Sequence, residues 1–221
     1  MSVTKKGFSA KEIQKQLGLK RYEPVWQKTP KIRKAVGKRD VRYTLEGMIE
    51  MDEGYFSVAS SEVEQFQGIR GRGAVGKANT LIMAESIPLE DLETGKMSKS
   101  CRYFKAKVLD SHLSEEVNHE VQQSIDNRSI VFADKSSSYV DIADFVELHV
   151  TEKSSKQATT ETLRWVHITI GNAKGNLLGN FHKIERKYLQ LYLNEFVYKL
   201  NRRYFGDKIF DRLIVANITE L

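Results

Sequence analysis

Two acids, Asp52 and Asp134, stand where carboxylates can work as a pair. Each closes a largely apolar run that reads as a β-strand, Glu46–Asp52 (EGMIEMD) and Ser129–Asp134 (SIVFAD). If these strands are neighbours, both carboxylates emerge at one edge of the sheet. Paired carboxylates there suit Mg²⁺, a hard cation commonly anchored by one or two carboxylates together with substrate phosphate. Two such ions about 3.5–4 Å apart can activate an attacking oxygen and stabilise the leaving one in phosphodiester chemistry. A third ligand is expected from the helix after the last strand, and two residues qualify. His167 precedes Lys174 by seven residues, a spacing that returns to nearly the same helix face, whereas Asn172 lies five residues from His167 on a largely different face. Both stay open. Lys174 is expected to position a phosphate. The chemistry needs no covalent nucleophile, so neither Cys101 nor the serines after Asp134 are candidates.

Basic residues frame these acids. Arg70, Arg72 and Lys77 alternate with Gly71, Gly73 and Gly76. No GK[ST] follows, so the segment is no nucleotide-binding loop; a tight hairpin with a basic rim that can touch a DNA backbone fits better. Near the C-terminus, Leu189, Leu193, Phe196 and Leu200 form a helical core stripe, and Arg202 and Arg203 at its end are candidate phosphate contacts.

The elements that must hold these groups follow from periodicity. Strands are expected at Glu46–Asp52, at Tyr55–Ala59 after Gly54, at Asn79–Glu85 and at Cys101–Leu109. A helix is marked by Val117, Val121 and Ile125, and strands again at Ser129–Asp134 and Phe145–Val150. Helices are expected over 161–178 and 184–204. This order fits an α/β, ribonuclease-H-like mixed sheet with flanking helices, preceded by a short basic helical segment. Residues 1–40 form that segment and 41–215 the catalytic domain. The segment carries twelve Lys and Arg against three acids, a surplus of +9 in a chain whose total is +6, so the remainder carries −3. A basic arm on a mildly acidic body suits a nucleic-acid binder. Within the arm, Ser9 and Glu12 have capping-box spacing, and Gly18 should stop the helix they begin. Pro24 and Pro30 are expected to interrupt a second helix, leaving part of a helix-turn-helix.

Composition removes other classes. With 221 residues and 40% hydrophobic content the chain can bury a core. One cysteine excludes a disulfide scaffold and a cysteine-rich zinc module. No apolar run approaches the ~18 residues needed to span a bilayer. The basic N-terminus lacks the apolar core of a secretory signal, so a cytoplasmic location is expected.

Taken together, IEMDEGYF, RGRGAVGK, VFADKSSSY and WVHITIGNAKGNLLGNFHKIERKYLQLYLNEFVYKLNRR resemble the transposases of bacterial insertion sequences that carry the ISXO-two-like transposase domain. GNFHKI, KYLQLYLNEF and NRR, in that order, are its most specific part, and the likeness covers about residues 40–215. It implies a ribonuclease-H-like Asp-Asp-Glu/Asn fold, dependence on Mg²⁺ (with Mn²⁺ substituting), cleavage and strand transfer at the ends of an element, double-stranded DNA as partner, and a homo-oligomer on that DNA. Asp52 matches the first catalytic acid and Asp134 the second, while Glu53 points to the opposite strand face and has at most a supporting role. Relatives often carry Glu seven residues before a Lys, which here is His167; a branch carries Asn in a NAK-like motif, which here is Asn172. The front lacks the cysteine-rich element and complete helix-turn-helix that relatives usually have. Two alternatives follow: an inactive, truncated relative that only binds DNA, and a metal-dependent nuclease of the same fold.

Overall fold

A computed structural model describes residues 7–59, 76–90, 95, 97–111, 113–153, 155, 161–181 and 184–220. The chain divides into two compact units, Tyr43–Gly171 and Met1–Arg42 together with Asn172–Leu221. The compact division thus places the end of the expected catalytic segment with the N-terminal one. No helix among the described residues is long and apolar enough to cross a membrane.

The unit Tyr43–Gly171 is built on one five-stranded sheet: β1 (Met48–Ser57), β2 (Lys77–Glu90), β3 (Met97–Leu109), β4 (Ile130–Asp134) and β5 (Leu148–Glu152). The strand order is β3-β2-β1-β4-β5. The first three strands pair antiparallel, and β4 and β5 add in parallel beyond β1. This mixed order, with helices on its faces, is the ribonuclease-H-like arrangement expected. The helix α3 (Ser114–Ser124) supplies the connection that a parallel β3-to-β4 return requires.

Strand boundaries differ from the sequence reading: β2 and β3 extend beyond the expected Asn79–Glu85 and Cys101–Leu109, and two further differences have a local cause. The expected break at Gly54 is absent, and residues 48–57 run as one strand. A Cβ on Gly54 would lie 3.3 Å from Ile170 Cγ1 and 3.1 Å from the Phe56 ring. Gly54 is therefore a point of close approach for the helix carrying Ile170, not a turn. Gly54→Ala is expected to cost about 1–3 kcal/mol through overpacking, read as a lower thermal midpoint at unchanged secondary structure. The last strand begins at Leu148 rather than Phe145, because Ile142–Asp144 forms a 3₁₀ turn closed by Phe145 N–H donating to the Ile142 carbonyl.

Strand alternation sorts β1 into two faces. Ile49 and Met51 point into the main core, with Leu81, Met83, Val117, Val121, Val131 and Tyr139. Glu50, Asp52 and Gly54 occupy the other face, against the start of α4 (Arg164–Asn180).

The other unit contains α1 (Ala10–Gln16), α2 (Glu23–Val41), the rest of α4, α5 (Arg186–Asn201) and α6 (Ile209–Glu220). Ser9 Oγ accepts from Glu12 N–H as the spacing predicts, but the Glu12 carboxylate accepts from Gln16 instead of reaching back. Gly18 ends this turn with φ +63°, a conformation that favours glycine. The prolines do not break the second helix. Pro24 sits at its start, where no N–H donor is needed, and Pro30 removes one hydrogen bond from a helix of 19 residues. Burial of Val25, Ala35 and Val36 offsets that loss; Val36 joins Tyr198 and Ala216 in this unit's own core.

The basic arm is partly neutralised inside its own unit. Arg33, 5% exposed, donates to Glu195 at 2.8 Å and lies over the Tyr192 ring at 3.9 Å. Lys199 meets the other Glu195 oxygen at 2.7 Å, and these two cations hold the Glu195 carboxyl below its usual range although burial opposes them. Arg39 and Arg42 pair with Glu220.

Candidate active site

Asp52 lies in the middle of β1, not at its end, and what ends beside it is the pairing with β4. The parallel ladder runs from Met48–Ile130 to Met51–Ala133, so Asp52 and Asp134 are the next residues on each strand. Residues in register on neighbouring parallel strands project to the same face, about 4.8 Å apart along the sheet. Both acids thereby come out side by side where β4 stops. The ladder continues outward from Asp134 to Glu152 on β5. The strand expected over Phe145–Val150 stops two residues short of Glu152, which β5 includes.

The imidazole of His167 closes the arrangement from α4. Its Nε2 is 3.7 Å from Asp52 Oδ2, with the two side chains 33% and 17% exposed. Burial holds the imidazole below its ordinary pKa, and the nearby Asp134 carboxylate pulls the other way without overcoming it. The ring is therefore neutral at pH 7, with a lone pair for a metal or a proton. The other Asp52 oxygen, Oδ1, accepts from Glu53 N–H at 2.7 Å. Tyr139, almost wholly buried, reports the same negative field: burial raises its phenol well above 10, and Glu53, Asp52 and Asp134 raise it further.

Glu53 points to the other face, as alternation requires, and accepts from Asn79 Nδ2. Asn172 is exposed on α4, and five residues place it about 140° around the helix from His167. Lys174 is half-buried and, two turns on, returns to the His167 stripe. Both residues fall in the part of α4 that belongs to the other compact unit.

The DNA-contact candidates fare differently. Arg70 and Arg72 lie outside the described residues, and Lys77 is exposed at the start of β2. Arg202 is bound at 2.7 Å to Asp40, itself nearly buried, and stacks over the Tyr198 ring at 3.7 Å. Arg203 donates to the Leu200 carbonyl at 2.8 Å and to the Tyr204 hydroxyl. These two arginines close the end of α5, a structural use that their charge alone did not reveal.

The donor chemistry fits Mg²⁺ or Mn²⁺ shared with a substrate phosphate. Two carboxylates on adjacent strands supply hard oxygen ligands, and a neutral imidazole stands within reach of one of them. Among the described residues, no group of three or more His, Cys, Asp or Glu side chains is placed to hold a metal ion together, so the pair of strand acids is the feature on which the fit rests. A magnesium ion usually keeps several waters and takes further ligands from substrate phosphate, so a pair of carboxylates suits it without an all-protein cage.

Comparison with known proteins adds the family. A solved structure described as the Mos1 mariner paired end complex with Mn is 11% identical with a TM-score of 0.35, covering 97% of this chain and 75% of that one. No curated protein matches the chain in sequence. The family profile described as the ISXO2-like transposase domain matches residues 44–201. That span runs from just before β1 to the end of α5 and includes both strand acids and His167. On that match the chain belongs to the ISXO2-like transposase domain family.

Proposed function

We propose that this transposase-family chain cuts DNA strands and joins the resulting 3′ ends to a target, using Asp52, Asp134 and His167 as its metal-binding set. The observation that carries this reading is the register that brings Asp52 and Asp134 out side by side, with His167 Nε2 at 3.7 Å from Asp52. Magnesium or manganese bound by these groups would supply Lewis-acid stabilisation of the phosphoryl oxygens and lower the pKa of an attacking water or 3′-hydroxyl. Asp52 and Asp134 provide the fixed negative charge that anchors the ion, and the rigid sheet sets their spacing. His167, neutral and half-buried, contributes a ring nitrogen or receives the proton released by the attacking oxygen. Lys174, on the His167 stripe of α4, is proposed to position the phosphate, and Asn172 is ranked behind His167 because its face of the helix differs. Double-stranded DNA is the proposed partner, and pairing of two element ends the proposed reason for a homo-oligomer.

The test uses the whole chain, an oligonucleotide carrying the element's terminal sequence, and Mg²⁺ or Mn²⁺. Nicking that needs the metal, together with joining of pre-cleaved 3′-hydroxyl ends to a second duplex, is the expected result. Metal-dependent nicking with no joining would make the chain a nuclease of this fold. DNA retardation without metal-dependent nicking would make it a binding protein only.

A further inference from the structure

We propose that Glu50 is a positioning residue: it fixes the first turn of α4 against β1 and thereby sets His167 at its distance from Asp52. This inference rests on the site reading given above.

Glu50 is on the same face of β1 as Asp52, two residues before it, and is fully buried. Its Oε2 accepts from Trp165 N–H at 2.6 Å and from Val166 N–H at 3.3 Å. These are first-turn donors of α4 that have no partner within the helix. His167 is the next residue. One carboxylate thus joins the strand of Asp52 to the turn immediately before His167, across a sequence separation of 115 residues.

The surroundings make this attachment stiff. Lys99 Nζ, from β3, is 3.8 Å from Glu50 Oε1 and also donates to the Thr162 carbonyl at 3.3 Å, just ahead of α4. On the far side of His167, Ile170 packs on Gly54, so the helix start is held on both sides of the imidazole. A carboxylate in this place is costly as a charge. Burial pushes the Glu50 carboxyl up, against the two amide donors and Lys99, which pull it down. A fully buried acid would be a poor choice for packing alone, where an apolar side chain serves better. What glutamate supplies is an acceptor oxygen of the right reach, and an uncharged glutamine offers the same oxygen.

That separates geometry from charge. Glu50→Gln keeps the reach and the acceptor but loses the charge. Glu50→Asp keeps the charge but retracts the oxygens by one methylene. Glu50→Ala loses both. Metal-dependent nicking is measured with kcat and KM for DNA resolved, in Mn²⁺, well below each variant's thermal midpoint. The expected order of kcat is wild type, then Gln within about threefold, then Asp, then Ala; a displacement near 1 Å can cost about 10²-fold. KM for DNA stays within about twofold throughout. An Asp variant that equals or exceeds the Gln variant would overturn the proposal, as would a folded Ala variant with wild-type kcat.

Amide hydrogen exchange at Trp165 and Val166 supplies a readout that does not depend on activity. Faster exchange in Asp than in Gln is expected, and equal protection in the two overturns the assignment even if Ala fails to fold. If the wild type itself shows no metal-dependent nicking, the site reading fails, and the exchange comparison still decides whether Glu50 holds the turn.

Discussion

Asp52→Asn and Asp134→Asn are each expected to lower metal-dependent nicking by roughly 10³-fold or more, equivalent to about 4 kcal/mol of transition-state stabilisation. Asparagine keeps the shape of aspartate and one acceptor oxygen but removes the charge that anchors a divalent ion. Asp52 is 17% exposed in its side chain and lies next to Asp134 in register, so the two negative charges repel in a partly dry site. Removing one relieves that repulsion. The thermal midpoint of either variant is therefore expected to stay level or rise while activity disappears. Retardation of DNA should be unchanged. The two acids differ from ordinary strand residues in this combination, since a purely structural aspartate would lose stability with its charge. Retained cleavage in either variant would remove that residue from the site.

The second large effect separates the two candidates for the third position. His167→Ala is expected to reduce nicking by about 10²-fold, in the range found when one preorganised polar group is lost from an active site. Asn172→Ala is expected to stay within about twofold of wild type. The reason is angular: both residues belong to α4, but His167 faces Asp52 at 3.7 Å and Asn172 is exposed about 140° away around the same helix. Calorimetric titration of Mn²⁺ in the presence of a DNA duplex supplies an independent reading, with weaker binding in the histidine variant only. The opposite pattern would move the third position to Asn172.

Much of this site was legible in the chain. Apolar runs ending on acids drew attention to Asp52 and Asp134, and the seven-residue interval between His167 and Lys174 marked one stripe of a helix. Periodicity also located α3 through Val117, Val121 and Ile125, and alternation already turned Glu53 away from Asp52. These inferences depend only on the local geometry of helix and strand, which is written into residue types and short spacings. Glu50 was within the same reach, since it shares the parity of Asp52, yet nothing local distinguishes a carboxylate bound for solvent from one bound for a helix terminus 115 residues away.

The remainder needed the folded chain. Gly54 and Pro30 both look like breaks because their local costs are real, and both are overridden by packing: Gly54 admits Ile170, and α2 buries Val25, Ala35 and Val36. Arg33, Arg202 and the arginines that meet Glu220 count as a basic surface in sequence but pair with acids distant in the chain. Register decided the rest. A strand specifies which of its residues share a face, but only pairing β1 with β4 sets Asp52 level with Asp134. The sequence by itself determined the kinds of groups available and the faces on which they stand. The tertiary structure decided which of those faces meet, because contacts between residues far apart are fixed by the joint burial of the whole sheet and its helices rather than by any one segment.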